Sequence, residues 1–352
     1  MPDLLETICE ITGSSTCQLG EVIQSLWSGY GVIQRIKLDL PEHASAILKH
    51  IDLSQARQNR RGWSGEVSHQ RKVQSYEIEK TFYQSYSQKC IESGISDDQR
   101  HQGLACRVPK LIAALEKPNA TGWLLVLEDL DAAGFNLRSS NYGGSSKLKL
   151  FACLRWLANF HAVFMGCQPS DLWTTGTYWH LATRQEEWQA MEDSQLKRLA
   201  AKIDKRLSAA RFQTLVHGDA KLANFCFGNA DNNRNEPTVA AVDFQYIGGG
   251  CGMKDVAYLV SSCLDGSESQ SQQNELLDVY FQHLQKSLAL TRPEIDFVSL
   301  ESEWRDLYTF AWADFCRFLA GWSPGHWKLN QYNDRVTQGV LAELSAKNSQ
   351  DI

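Results

Sequence analysis

Residues 215–228 read LVHGDAKLANFCFG. Within eight residues stand the His217 imidazole, the Asp219 carboxylate, the Lys221 ammonium and the Asn224 carboxamide, with apolar runs closing on both sides. Those flanks, FQTLVH and FCFG, read as two short strands carrying a polar turn between them. In such a turn Asp219 can accept a hydroxyl proton, Asn224 can offer an amide oxygen to a hard cation, and Lys221 can offset anionic oxygens. Asp219 and Asn224 are also ordinary turn formers, so the stretch alone fits a stabilised loop equally well. Nineteen residues beyond Asn224, the apolar run TVAAV leads to Asp243, where a strand would deliver a carboxylate to a sheet edge. Asn224 and Asp243 make a donor pair suited to Mg²⁺, which takes one or two protein oxygens and fills its shell with substrate phosphates and water. Taken singly, Asp243 also fits a capping residue.

Upstream of the motif the pattern changes. GVIQRIKLDL and ASAILKHI read as strands separated by a turn at Pro41, and RVPKLIAALE and WLLVLEDL as two more around the turn PNATG. Between them VQSYEIEKTFYQSYSQKCIE has no breaker and spaces its aromatic residues as a helix does. From about residue 146 helical patterns dominate: KLKLFACLRWLANFHAVFM, then segments near 183–210, 254–264, 270–290 and 300–320. The expected architecture is α+β with two lobes, a β-rich N-terminal lobe over 1–128 and a mainly helical C-terminal lobe over 129–352, crossing over near Glu128 to Asp131.

Composition narrows the function classes. The chain has 352 residues, 43% hydrophobic and 22% charged, the profile of a globular protein with a sizeable core. A net charge of −6 argues against a nucleic-acid partner, which needs clustered cations. No run approaches the roughly 20 apolar residues of a membrane span, and MPDLLETICEITGSS lacks the pattern of a secretory signal, so a cytoplasmic protein is expected. Ten scattered cysteines without a C-x-x-C pair suggest reduced, mostly buried thiols. One basic cluster, Arg57, Arg60, Arg61, Arg71 and Lys72 around QNRRGWSGEVSHQ, reads as a solvated mobile loop.

Together the two halves match the pattern H-x-D-x-x-x-x-N followed by D-F. VHGDAKLANFCF and AAVDFQYIGGG resemble the aminoglycoside phosphotransferase and choline kinase group, most closely its ecdysteroid-kinase-like branch. The resemblance implies a protein-kinase-like fold and transfer of the ATP γ-phosphoryl group, with Mg²⁺, to a small-molecule hydroxyl or, in some members, an amine. It implies Asp219 as base, Lys221 as charge stabiliser, and Asn224 and Asp243 as metal ligands. Lys49 in AILKHI resembles the strand lysine that holds the α- and β-phosphates, and Glu79 in EIEKTFY the helix glutamate that pairs with it. Glu77 competes with Glu79, but two residues lie about 200° apart on a helix, so only one can face inward; the E-x-x-F-Y spacing favours Glu79. WLLVLEDL resembles the hinge, with the backbone from Glu128 to Leu130 reaching adenine. LANFHA resembles the helix that supports the catalytic loop, which makes His161 structural. His217 is expected to orient the loop, and Asp255 in GMKDVAYLVSS to cap a helix, brace the loop, or both.

Departures from the pattern restrict the substrate. SGYG at 28–31 supplies Gly29 and Gly31 of a Gly-rich loop and no more, although backbone amides there could still cover phosphates. DFQ stands where D-F-G is usual, no A-P-E follows, and helical pattern resumes by Asp255, which leaves little room for an activation segment and favours a small molecule over a protein. In SEWRDLYTFAWADFCRFLAGW, the residues Trp304, Tyr308, Trp312, Phe315 and Leu319 repeat at helical spacing. A core stripe is the favoured reading; the alternative is an aromatic wall for a cation such as choline, with Asp306 or Asp314 beside it. The ecdysteroid-kinase-like branch would suit a bulky apolar hydroxylated acceptor. Two rival functions remain. A nucleotide-binding pseudokinase is opposed by the presence of Lys49, Asp219, Asn224 and Asp243 together, and a metal-dependent hydrolase using His217, Asp219 and Asp243 by the want of a second His-rich cluster.

Overall fold

The computed structural model of the chain describes residues 4–26, 29–53, 66–92, 105–117, 121–139, 147–230 and 236–348. Helix α1 (Leu4–Thr12) precedes β1 (Cys17–Ser25), β2 (Gly31–Leu38), β3 (Ser45–Asp52), β4 (Leu111–Glu116) and β5 (Gly122–Glu128), which form an antiparallel sheet in the order β1-β2-β3-β5-β4. Side chains alternate across this sheet. Ile36, Leu38, Ala46, Leu48, Leu124 and Val126 pack with Ile8 of α1 on one face. The intervening positions Ile33, Arg35, Ile47 and Lys49 line a cleft on the other. Lys49 sits in the central strand, opposite Ile33 of β2 and Leu125 of β5.

Helices α2 (Glu66–Ser85) and α3 (Ser87–Glu92) follow β3 in sequence. The helix expected to begin near residue 73 begins at Glu66, so the end of the supposed basic loop is helical. Arg71 is not solvated; it is 8% exposed and donates to Thr183 O at 3.0 Å. The reason is periodicity: Ser68, Arg71, Ser75, Tyr76, Glu79, Phe82 and Tyr83 recur at helical spacing and all are buried. Arg57, Arg60 and Arg61, Ser28 of SGYG, and most of the PNATG turn lie outside the described residues.

The helical lobe is built on α4 (Lys147–Val163), α5 (Gln185–Ala190), α6 (Gln195–Ser208), α7 (Met253–Cys263), α8 (Gly266–Thr291), α9 (Phe297–Trp322) and α10 (Gln331–Asn348). Helix α8 starts with a capping box, in which Asp265 accepts from the Glu268 backbone and Glu268 from that of Asp265. Two small antiparallel sheets carry the motif: β6 (Thr214–Val216) with β9 (Gly248–Gly250), and β7 (Phe225–Ala230) with β8 (Pro237–Ala241). The fold is therefore the expected two-lobe, protein-kinase-like α+β arrangement.

The largest core crosses between the lobes. Ile78, Phe82 and Tyr83 of α2, with Tyr86 just beyond its end, belong to the same apolar cluster as Trp156, Phe160 and Phe244. Phe82 stacks on Phe244 at 3.8 Å between ring centroids. The stripe on α9 is core, as favoured, with Trp304, Tyr308, Trp312, Phe315 and Leu319 all at most 4% exposed. Asp314 is buried with it and pairs with Arg317, while Asp306 is exposed, so neither helps form an aromatic wall for a cation. None of the ten cysteines forms a disulfide, and seven are buried. Among the described residues, no helix is long and apolar enough to cross a membrane.

Candidate active site

The loop joining β6 to β7 is held from beneath. Asp255, fully buried in the first turn of α7, accepts from His217 N at 2.6 Å, from Gly218 N at 2.9 Å and from the His161 ring at 3.1 Å. His161 also bonds the Tyr280 hydroxyl, and His217 Nε2 bonds Val242 O at 3.1 Å. Both imidazoles are 0% exposed, so their place is structural. Gly218 has φ +81°, and a Cβ there would stand 2.0 Å from Tyr246 O. Gly218→Ala is therefore expected to destabilise the protein by about 2 kcal/mol, read by chemical unfolding; an unchanged midpoint would show that the loop can shift.

Above this base the polar groups converge. Asn224 Nδ2 donates to Asp219 O at 2.8 Å and to Asp219 Oδ2 at 3.0 Å, and Lys221 Nζ reaches Asp219 Oδ2 at 2.8 Å. Lys49 Nζ donates to Glu79 Oε2 at 2.5 Å and lies 3.8 Å from Asp243 Oδ1. Glu77 points outward and is exposed, which decides the competition between the two glutamates. Asp243 itself has φ +70°, a strained setting for a residue other than glycine.

Gln245 occupies the third position of D-F-x, where φ is not positive and no glycine is required. Its Nε2 donates to Asp243 Oδ1 at 2.6 Å, and its Oε1 accepts from Lys72 Nζ at 2.5 Å and Ser75 Oγ at 3.3 Å. Gln245 thus ties Asp243 to α2.

The electrostatics separate the two aspartates. Burial pushes the Asp219 carboxyl up and the neighbouring Asp243 charge adds to this, against the opposing pull of Lys221. Burial also works against Asp243, but Lys49, Lys221 and Lys72 outweigh it and hold its carboxyl below the usual range. Burial likewise raises Glu79, with Lys49 opposing, and lowers Lys72 to about 8. Two adjacent carboxyls with shifts of opposite sign are what separate base and anion roles require.

Two clefts meet at this point. The first, about 430 Å³, is lined by Lys49, Glu79, Glu128, Leu130, Asn224 and Asp243 among others. The second, about 720 Å³, contains Asp219, Lys221 and Asp243. Gln24, Leu26, Asp243 and Gln245 line both. Of the residues singled out in the sequence, Gly29 and Gly31 line neither. The wall at that end comes from Glu21, Ile23, Gln24 and Leu26 of β1 and its exit, a strand the sequence pattern did not reveal. Gly31 answers to a different demand, since a Cβ there would stand 1.9 Å from His50 O on the adjacent strand. At the end of β5, where the hinge was expected, Glu128 N donates to Lys110 O and its carboxylate pairs with Arg107. Sequence reading missed Arg71, Lys72, Tyr178, Arg184, Tyr246 and Phe318, which line the second cleft.

A divalent cation fits the donors present. Asn224 and Asp243 are two oxygen donors on one cleft, and no cluster of three or more His, Cys, Asp or Glu side chains suited to a metal occurs among the described residues. That set suits a hard ion that draws its remaining ligands from phosphate and water.

Residues 174–292 match the model of the ecdysteroid kinase-like family. No curated protein matches the sequence. A protein of Ralstonia eutropha JMP134, described as a candidate aminoglycoside phosphotransferase, has a similar structure: TM-score 0.50 and 12% identity, covering 98% of this chain and 97% of that one. A microcompartment-associated aminopropanol kinase aligns with TM-score 0.46 and 13% identity, over 95% of this chain and 93% of its own. A choline kinase from Streptococcus pneumoniae aligns with TM-score 0.40 and 13% identity, over 94% of each chain. The chain is thus similar to the ecdysteroid kinase-like family over residues 174–292 and, across nearly its whole length, to the two-lobe fold of the aminoglycoside phosphotransferase-like proteins.

Proposed function

We propose that the protein transfers the γ-phosphoryl group of ATP to a hydroxyl of a small molecule, an amine being the less favoured alternative as acceptor. The observation that carries this reading is the meeting of two clefts at Asp243 and Gln245, with Lys49 on one side and Asp219 on the other. Phosphoryl transfer needs donor and acceptor sites that open onto one anion-stabilising point, and little covalent chemistry from the protein. In this reading residues 1–128 form the nucleotide lobe and 129–352 the catalytic and acceptor lobe.

The roles follow from the contacts. Lys49, oriented by Glu79, offsets charge on the α- and β-phosphates. The Glu128 to Leu130 backbone lines the adenine end of the first cleft. Asn224 and Asp243 would hold Mg²⁺, which when bound supplies charge neutralisation along the phosphates. Because Asn224 Nδ2 is engaged by Asp219, Oδ1 is the atom left for the cation. Asp219 aligns the acceptor hydroxyl. As the new O–P bond forms and the bond to the β–γ bridging oxygen breaks, the hydroxyl proton passes to Asp219 and ADP leaves. Lys221, held at Asp219, offsets charge on the transferring group.

The test is acceptor-dependent ADP release from Mg·ATP across a broad library of alcohols and amines, with GTP run in parallel. Tight nucleotide binding without acceptor-dependent release would favour a nucleotide-binding module instead. Within the same assay Lys49→Met is expected to weaken Mg·ATP binding by about 10- to 100-fold, the loss of one charge-assisted phosphate contact. An unchanged dissociation constant would remove Lys49 from the nucleotide site.

A further inference from the structure

The second cleft has a charge balance that phosphoryl transfer alone does not account for. Four cations line it, Arg71, Lys72, Arg184 and Lys221, against two carboxylates, Asp219 and Asp243. Lys221 is paired with Asp219, and Arg184 with Glu187 at 3.0 Å. Arg71 and Lys72 form no ion pair among the described residues. Arg71 donates to Thr183 O and Ser68 Oγ, and Lys72 to Gln245 Oε1, all neutral acceptors. Arg71 is 8% exposed, so its charge is largely removed from water with no carboxylate at ion-pair distance among the described residues. Such a group is costly unless something anionic meets it.

Position excludes the nucleotide as an easy answer. Arg71 and Arg184 line the second cleft and not the first, where Lys49 stands. Arg71 reaches Thr183, the residue next to Arg184, which brings the two guanidinium-bearing segments together across the cleft. Burial and the nearby Arg184 charge both disfavour the charged form of Arg71, and Tyr246, Glu187 and Glu186 offset them only in part. Around them the wall is aromatic: Tyr178 meets Phe318 at 5.3 Å and Tyr246 at 5.9 Å, edge to face, and Phe318 stacks on Trp322 at 5.7 Å. Arg184 lies over both Tyr178 and Phe318.

From this arrangement we infer that the acceptor carries an anionic group as well as its hydroxyl, on a flat or apolar body, with Arg71 and Arg184 clamping the anion while Asp219 addresses the hydroxyl. The inference rests on the phosphotransferase reading for the hydroxyl and on the cleft alone for the anion. It sets this site apart from one built for a cationic acceptor. A guanidinium pair matches the planar oxygens of a carboxylate and the oxygens of a phosphate ester alike.

Binding to the full chain saturated with Mg·AMP-PNP tests it without requiring turnover. The probes are 4-(hydroxymethyl)benzoate, 4-(hydroxymethyl)phenyl phosphate, and the neutral 4-(hydroxymethyl)benzamide and cationic 4-(hydroxymethyl)benzylamine, titrated by calorimetry or ligand-observed NMR. One or both anions should bind at least about tenfold tighter than the amide and the amine, and which anion wins identifies the group. Arg71→Gln and Arg184→Gln should each abolish that preference while Mg·AMP-PNP affinity holds, and Arg71→Lys should recover part of it. Equal or tighter binding of the amide or amine overturns the inference, as does failure of both anions to bind. It is also overturned if Arg71→Gln weakens Mg·AMP-PNP as much as the anion, since the cation would then serve the nucleotide. A protein that binds nucleotide and anion but transfers nothing to any acceptor would sink the phosphotransferase reading and leave this one standing.

Discussion

Asp219→Asn is expected to lower acceptor-dependent ADP release by about 10²- to 10⁴-fold while leaving Mg·ATP affinity unchanged. The substitution keeps the shape of the side chain and removes the one group placed to take a proton in the second cleft without lining the first. Its effect on stability should have the opposite sign. Burial raises the Asp219 carboxyl above its unfolded value. A group raised in this way contributes stability below its unfolded pKa and loses that contribution as pH rises through the folded value, so at neutral pH its charge opposes folding. The amide removes that charge, and the melting temperature of the variant should not fall. Initial rates and thermal unfolding on the same preparation check both halves. Near-normal turnover in Asp219→Asn would falsify the assignment of the base, whereas loss of turnover with a lower melting temperature would point to a collapsed loop.

The second large effect is expected beneath the loop. Asp255→Ala leaves the backbone amides of His217 and Gly218 and the ring of His161 without their shared acceptor, all in a region closed to water. Unsatisfied buried donors cost about 1–3 kcal/mol each, and the carboxylate serves three of them, so a loss of about 3–5 kcal/mol is expected by denaturant titration. Asp255→Asn keeps acceptor capacity and should lose less. Equal, small losses in both variants would mean that the brace is redundant. Asp255 stands in the first turn of α7 but makes no capping bond, the N-cap being Gly252, so of the two readings available from GMKDVAYLVSS the geometry supports the brace.

What could be read from the chain follows the range of the physical signals. The loop at 215–228 was legible because its chemistry and its strands are neighbours in sequence. Helical geometry puts Glu77 and Glu79 on opposite sides, so only one could face inward, and the E-x-x-F-Y spacing then favoured Glu79, the buried one. Strand β1 was not legible: eight of its nine residues are exposed, so no alternation marks it, and pairing with β2 alone defines it. Arg71 and Lys72 were hidden by their surroundings, a polar stretch that looked solvated. A usable signal was present, since Ser68, Arg71, Ser75 and Tyr76 lie on the buried face that carries Glu79 further along the same helix. The assignment of Gly29 and Gly31 to phosphate binding rested on two glycines whose nearest structural need, at Gly31, is the close passage of the His50 carbonyl.

The stacking of Phe82 on Phe244, together with the bonds from Lys72 and Ser75 to Gln245, has a consequence for how the protein opens. The second half of α2 shares its apolar cluster with the helical lobe, although the chain places it among the strands. Cooperative opening follows packing and not chain order. In amide hydrogen exchange, residues 78–86 should therefore lose protection together with α4 and the 215–228 loop, and not with β1 to β5. The Lys49–Glu79 pair would then span a boundary between two cooperative units, so its formation reports whether both are closed at the same moment.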